Sequence, residues 1–488
     1  MRGLKNYLNQ VVYELMQAVI PLIPLAYLTH VLGINSFGLS AWAIGSMDLL
    51  CLLFLGSSSL FGQNLLRNNP DETEATVFWN VVVIRVLATL VAAIFFGGFV
   101  WWQGQTNGLY QVHHDLLQAS LLLLVGSALD FSWYFIGTKR PLRPLLQAMS
   151  TKVLFLMLVL ILVKTPNNFN NYVLLIGWTR IVGNLFLLFQ LPPTLNKQIH
   201  WHIGTYLGQW LKNLTHVLGF ELFALSGLVI AAIKSPTEIA GMGYYEAALQ
   251  LTQVGIVLVI TIGVSTLPRF YQIYQQNNYQ KLIEHIDNAV ESVTAVGVPL
   301  MFGTAATAVQ FNTWFLGQGF SAVGLFMTAL APLILLLGWN TILGGQFLYL
   351  AGQARVINFT LWLGLFINVT IAWLLVPRYG LFGSIYALLI TELMIFAIQL
   401  YYAREVIAFG RVIALMSKYL VTGSLMYLTI LVTTYNWPPY PSTTVFQIGL
   451  GTILYVIGII LLRSTLVKKF ERICKSYLKV IRRRYRTE

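Results

Sequence analysis

Residues 77–102 read VFWNVVVIRVLATLVAAIFFGGFVWW, twenty-six residues with one charge, Arg85. About 20 mostly apolar residues are enough to carry an α-helix across the hydrocarbon of a bilayer. The same pattern recurs along the chain. Fourteen runs qualify, at roughly 10–31, 37–62, 77–102, 115–137, 146–164, 171–191, 211–233, 239–267, 286–310, 320–350, 356–376, 381–402, 411–434 and 443–462. Over all 488 residues the chain is 57% hydrophobic and 10% charged. A soluble domain carries about 25% charged residues. So few charges cannot cover a water-facing surface, and the solvent for most of this chain is lipid. The expected fold class is an all-α polytopic membrane protein.

The net charge of +13 belongs to short loops and a tail, which argues for membrane topology rather than for nucleic acid. With fourteen spans, 23 of the 30 Lys and Arg fall on the side that holds both termini and three, Lys164, Lys234 and Arg378, fall on the other. Both termini are therefore expected in the cytoplasm. The first run carries Glu14 and Gln17 and continues past Pro21 and Pro24, so it reads as a retained helix and not a cleaved signal. Five regions follow: residues 1–191 with six spans, a polar linker at 192–210, residues 211–402 with six more, two further helices in 403–462, and a basic tail at 463–488. In the tail Leu466, Phe470, Ile473, Tyr477 and Ile481 share one helical face between basic residues, as in a helix lying on an anionic leaflet. Gly38 to Ala43 and Gly243 to Ala248 open two spans with a similar spacing of Gly and Ala, as a distant internal repeat would. Small residues at those positions also suit close helix packing.

Several chemistries have no signature here. There is no G-x-x-x-x-G-K-[ST] phosphate loop, no H-E-x-x-H, and no G-x-S-x-G elbow. His113, His114, His200 and His202 sit in loops without a Cys or His cluster to make a metal site. Cys51 lies in an apolar run and Cys474 in the tail, which gives no disulfide framework. No cofactor and no metal are expected.

Ionisable groups inside spans are costly, so each is a candidate for function. Glu14, Lys152, Glu291 and Lys418 lie near cytoplasmic ends, where a long side chain can reach the interface. Asp48, Arg85, Arg180, Glu221 and Glu392 lie deeper. Arg85, Lys152 and Arg180 place the intramembrane cations in the first six spans, beside Glu14, Asp48 and Asp130. The later spans hold Glu221, Glu246, Glu291 and Glu392 against Lys418. An anionic head group could sit on the first set and protons on the second. Alternatively, Arg85 and Arg180 neutralise Asp48 and Asp130.

The order of short motifs resembles the polysaccharide repeat-unit flippases (Wzx or RfbX-like) of the multidrug/oligosaccharidyl-lipid/polysaccharide exporter superfamily. These motifs are Lys5-Asn6-Tyr7-Leu8, Phe61-Gly62-Gln63, Leu129-Asp130-Phe131-Ser132-Trp133-Tyr134-Phe135, Gly243-Tyr244-Tyr245-Glu246, Leu267-Pro268-Arg269, Val376-Pro377-Arg378-Tyr379-Gly380 and Thr391-Glu392. The chain departs from the family at Ala224-Leu225-Ser226-Gly227, where relatives often carry a Gln-x-Asp. The resemblance implies two six-helix lobes around a central cavity, alternating access, and an undecaprenyl-diphosphate-linked oligosaccharide as cargo in a bacterial plasma membrane. On that reading Arg85, Arg180, Lys152 and Asp130 are the substrate-binding candidates, and Glu246, Glu392, Asp48 and Glu221 the ion-coupling candidates. The partners implied are the lipid-linked oligosaccharide, membrane lipids, and a polysaccharide polymerase with other assembly proteins. A drug exporter of the same fold is the alternative. A membrane-embedded polymerase or glycosyltransferase ranks below it, because the longest outer loop, about Gln103–His114, is too short for a catalytic domain.

Overall fold

The computed structural model describes residues 16, 18–68, 73–196, 199–212, 219–276, 279–404 and 409–462. The basic tail and the opening Lys5-Asn6-Tyr7-Leu8 lie outside the described residues. Within them the chain is helical and contains no strand. A helix satisfies every backbone polar group within its own segment, as a lipid environment demands.

The first helix, α1 (Leu22–Asn68), is two spans joined at a kink, where Gly33 has φ 68° and ψ 173°. α2 (Glu74–Gly104) starts at an N-cap in which the Thr73 hydroxyl accepts the Thr76 N–H at 3.3 Å. After the one-turn α3 (Gly108–Val112), the fourth span is broken into α4 (His114–Ala128) and α5 (Ser132–Gly137). α6 (Leu142–Leu162) and α7 (Phe169–Leu188) follow, then the short α8 (Ile203–Lys212), α9 (Phe220–Lys234) and α10 (Ile239–Ser265). The remaining helices are α11 (Leu267–Gln275), α12 (Tyr279–Phe315), α13 (Val323–Leu330), α14 (Pro332–Asn340), α15 (Ala354–Tyr379), α16 (Leu381–Ala403), α17 (Phe409–Thr434) and α18 (Pro441–Leu461). Among the described residues, eleven helices are long and apolar enough to cross a bilayer. Counting α1 as two spans and adding α9 and α17 gives the expected fourteen. The run at 320–350 differs from a plain helix: α14 passes into a π-helix at Thr341–Leu348, at the Gly344-Gly345 pair.

The helices form two compact units. One comprises Ile20–Ala247 and Leu361–Thr391, the other Met1–Val19, Ala248–Thr360 and Glu392–Glu488. In the first unit, Gly38 and Gly243 meet at a helix crossing. A Cβ on Gly38 would run into the Ile239 carbonyl, and one on Gly243 would lie 3.2 Å from the Gly38 Cα. The matching Gly-led openings of these two spans thus act as the small-residue contact that lets membrane helices approach closely. Gly62 likewise leaves room for the buried Trp133 ring. Phe78 of α2 stacks on Phe131 and Trp133 at 5.9 and 5.7 Å. Tyr134 completes the cluster by donating to Glu74 Oε2 at 2.8 Å. Two motifs far apart in sequence, at 61–63 and 129–135, are therefore one packed aromatic cluster.

The segment leading into α8 is bound to the start of α2. Trp79 Nε1 donates to the Leu195 carbonyl at 2.8 Å. Asn80 takes both sides of the passing backbone, donating to the His200 carbonyl at 2.8 Å and accepting the His202 N–H at 2.8 Å. The His200 N–H goes to Thr76 Oγ1 at 3.1 Å, and Tyr206 of α8 packs edge-on against Phe61.

In the second unit α12 packs against α13, α14, α17 and α18. Two buried hydroxyls fasten its interior. Tyr419 of α17 donates to Glu291 Oε1 at 2.8 Å, and Tyr455 of α18 to the Ala295 carbonyl at 3.0 Å. The π-helix is held from one side by Gln346, which donates to the Gly263 carbonyl and accepts from Thr266 Oγ1 at 2.9 Å. On another side the Gln399 amide lies against Gly344, in space a Cβ would need.

Candidate functional site

The first unit collects most of the intramembrane charge. Arg180 of α7 and Asp48 of α1 form a forked ion pair, with Nη1 at 2.7 Å from Oδ1 and Nη2 at 3.1 Å from Oδ2. Two parallel N–H···O bonds make this the strongest geometry a guanidinium and a carboxylate can adopt. Neither side chain is sealed off: about a third of each is exposed, 33% for Arg180 and 30% for Asp48. Tyr172, just over two turns before Arg180 on α7, is buried and feels the charges of Glu246, Asp48 and Arg180. Glu246 is half-buried on α10, and the exposed Glu221 at the head of α9 lies within electrostatic reach of Asp48.

Arg85 of α2 behaves differently. Only 3% of it is exposed. Its Nη1 donates to Ser58 Oγ at 2.6 Å and Ser59 Oγ at 3.0 Å. Its Nε and Nη2 donate to the carbonyls of Ala128 and Ser127. Those carbonyls end α4, where the last turn of a helix has no intrahelical donors to satisfy it. The guanidinium thus caps the C-terminus of α4 at the break in the fourth span. On the far side of the break Asp130 Oδ1 accepts the Ser132 N–H at 2.9 Å, which satisfies the first free N–H of α5. Arg85 and Asp130 interact electrostatically across the break without bonding each other: Arg85 donates to two serine hydroxyls and two backbone carbonyls, and Asp130 accepts a backbone N–H. Cys51, buried one turn along from Asp48, is within electrostatic reach of both arginines.

Lys152 is half-buried on α6. The preceding Thr151, with Gln147, fills the space that a side chain on Gly183 would take, so α6 crosses α7 one turn past Arg180. The structure therefore brings Asp48, Arg180, Glu221, Glu246 and Lys152 into one unit around α1 and α7. Glu392 belongs to the other unit. It is 3% exposed, and Oε2 accepts from Asn340 Nδ2 at 2.8 Å, immediately before the π-helix. No group of His, Cys, Asp and Glu suited to a metal occurs among the described residues.

Reading charges alone passes over the neutral polar residues that organise the helices. Asn80 clamps the 200–202 segment. Asn340 faces Glu392. Asn368 accepts from Ser226 Oγ at 3.0 Å, where the sequence departs from the family pattern. Amides within apolar spans are the signal that would have found them, because an amide buried in a span needs partners as much as a charge does.

The fold is that of the MATE transporters of the MOP superfamily. The chain superposes on a multidrug resistance MATE family transporter of that superfamily in its inward-facing conformation, with a TM-score of 0.62, 15% identity, and coverage of 83% of this chain and 99% of that one. A Vibrio cholerae MATE transporter gives a TM-score of 0.51 at 14% identity, covering 83% and 97%. At these identities the likeness is one of fold. In sequence the chain is similar to the "Putative O-antigen transporter" of Shigella dysenteriae, 23% identical over 390 residues, or 77% of this chain and 93% of that protein. No family model matches. Both comparisons lead to transporters and neither to an enzyme, and both support the resemblance read from the motifs. The chain is a multi-pass membrane protein with the fold of the MATE transporters.

Proposed function

We propose that this transporter flips undecaprenyl-diphosphate-linked oligosaccharide repeat units from the cytoplasmic to the outer leaflet of a bacterial plasma membrane, by alternating access and driven by an ion gradient. The carrying observation is the half-open Arg180–Asp48 fork. An exposed ion pair at membrane depth is tolerated where it meets water rather than lipid. A diphosphate offers guanidinium the same planar oxygen geometry as a carboxylate. Cargo then competes with Asp48 for Arg180, and the released carboxylate becomes free to take the coupling ion. Lys152 adds a second cation on the neighbouring helix. Arg85 and Asp130 support the site by fixing the broken fourth span behind it. Glu221 and Glu246 lie close enough to share the ion, and Glu392 supplies a separate carboxyl in the other unit. The O-antigen description of the Shigella relative supports the cargo class. Export of drugs or other small molecules is the competing use of this fold, and a guanidinium anchor at the site favours a cargo with an anionic group.

Depletion of the protein in its host should leave lipid-linked repeat units on the cytoplasmic leaflet, detected by leaflet-restricted labelling. Arg180→Ala should reproduce that accumulation while inserting normally, with flipping reduced about 100-fold, the loss expected from two charge-assisted hydrogen bonds. Normal flipping by the charge-neutral pair Arg180→Ala with Asp48→Asn would defeat the assignment of Arg180 to cargo.

A further inference from the structure

At the end of α2 remote from the 200–202 clamp lies a cleft of about 470 Å³. Phe96, Gly97 and Val100 of α2 face Leu117 and Leu121 of α4 across it. The glycines make the room: an added Cβ at Gly97 or Gly104 would meet nothing within 4 Å. The cleft continues the outward stripe of α2, where Val86, Leu90, Ile94 and Phe95 are exposed, so its open side meets bilayer. Trp101 and Trp102, exposed at the same end, mark the membrane–water interface, where indole rings concentrate. The polar part of the lining gathers at that level and consists of Gln105, Gln111, His114 and Gln118. No Lys, Arg, Asp or Glu lines the cleft, and the residue after His114 is the exposed Asp115.

We infer that this cleft is a binding site for one zwitterionic phospholipid, with an acyl chain between α2 and α4 and the head group against the glutamines. A glutamine amide presents both an NH₂ donor and a carbonyl acceptor. Three of them can therefore donate to a phosphate and accept from an ammonium of the same head group. An anionic head group would find no Lys or Arg in this lining to balance its charge. The site lies apart from the Arg180–Asp48 fork and needs no assumption about cargo.

The test is native mass spectrometry of the full chain released from nanodiscs holding equal parts of phosphatidylethanolamine and phosphatidylglycerol with the same acyl chains. One phosphatidylethanolamine should be retained in preference to phosphatidylglycerol. Gly97→Phe, whose Cβ would meet nothing within 4 Å and whose ring would occupy the cleft, should abolish that retention. Gln105→Ala with Gln111→Ala should reduce it about tenfold, the effect of one or two net hydrogen bonds. Equal retention of both lipids, preference for phosphatidylglycerol, or undiminished phosphatidylethanolamine binding in both variants would overturn the proposal. If Gly97→Phe fails to insert, the glutamine variant decides alone.

Discussion

Arg85 and Arg180 are both guanidinium groups set in apolar helices, and the sequence offers no means of telling them apart. The structure separates them by what they touch. Arg180 forks onto a carboxylate and stays a third exposed, whereas Arg85 is buried against two serines and two backbone carbonyls. Pairing of Arg180 with Asp48 was one of the two alternatives the charge pattern left open. The role of Arg85 was hidden because half of its acceptors are main-chain carbonyls at a helix break and the others are neutral serine hydroxyls, neither of which stands out in a hydropathy pattern. Arg85→Ala should therefore cost stability rather than recognition. Without Arg85 the Ala128 carbonyl loses its side-chain donor and the Ser127 carbonyl keeps only backbone N–H partners, a cost on the order of 1–3 kcal/mol. Thermal unfolding in detergent should show the loss, and Arg85→Lys should recover only part of it, since an ammonium cannot span the same fork of acceptors. An Arg85→Ala protein as stable as the parent would contradict the capping role. At Glu392, replacement by Gln keeps an oxygen to accept from Asn340 but removes the ability to carry a proton. Insertion should be normal and any dependence of transport on a proton gradient weakened. A parent protein indifferent to both proton and sodium gradients would remove the basis for that expectation.

Among the elements, the spans themselves were plain in the sequence because lipid imposes a length and a composition on each. Their interruptions were not. Gly33 is one glycine among thirty-nine, yet it turns the chain with φ 68° between the two halves of α1. Nothing lies within 4 Å of the Cβ it lacks, so Gly33→Ala tests the backbone alone. It should destabilise by about 1–3 kcal/mol, the cost of holding an L-residue at positive φ with extended ψ, a region essentially reserved for glycine. Gly38→Val tests the opposite case, in which the conformation is ordinary and the space is absent. It should be the more damaging of the two, read as lost expression of folded protein. The π-helix at Thr341–Leu348 was illegible for a further reason. It is sustained by Gln346 and Gln399, which reach it from or toward other helices, so its cause is tertiary.

At the level of the whole molecule, the asymmetry of loop charge makes a statement about sidedness. Reporter fusions at Glu488 and at the exposed Pro166 turn should give opposite signals, with Glu488 cytoplasmic. Like signals at the two positions would contradict the fourteen-span topology. Asn107 is the poorer insertion point on that outer side, because its side chain bonds the Ala232 carbonyl at 3.1 Å and the Leu109 N–H at 3.1 Å. The helix count and the transporter class were both legible from composition and motif order, because each is spread over hundreds of residues. The lining of the binding site was not, because it depends on which faces of α1, α6 and α7 meet.

The segment before α8 reads in sequence as a polar linker, yet Trp79, Asn80 and Thr76 fasten it to α2 as if it were one more piece of the bundle. A gene split into two cistrons would expose the difference. A break at residues 197–198 leaves the His200–His202 strand on the second polypeptide, which must then find Asn80 on its own as a separate chain. A break after Lys212 delivers the strap already attached to the helices it serves. Co-expression of the two later-cut fragments should rebuild the transporter, and the earlier cut should fail.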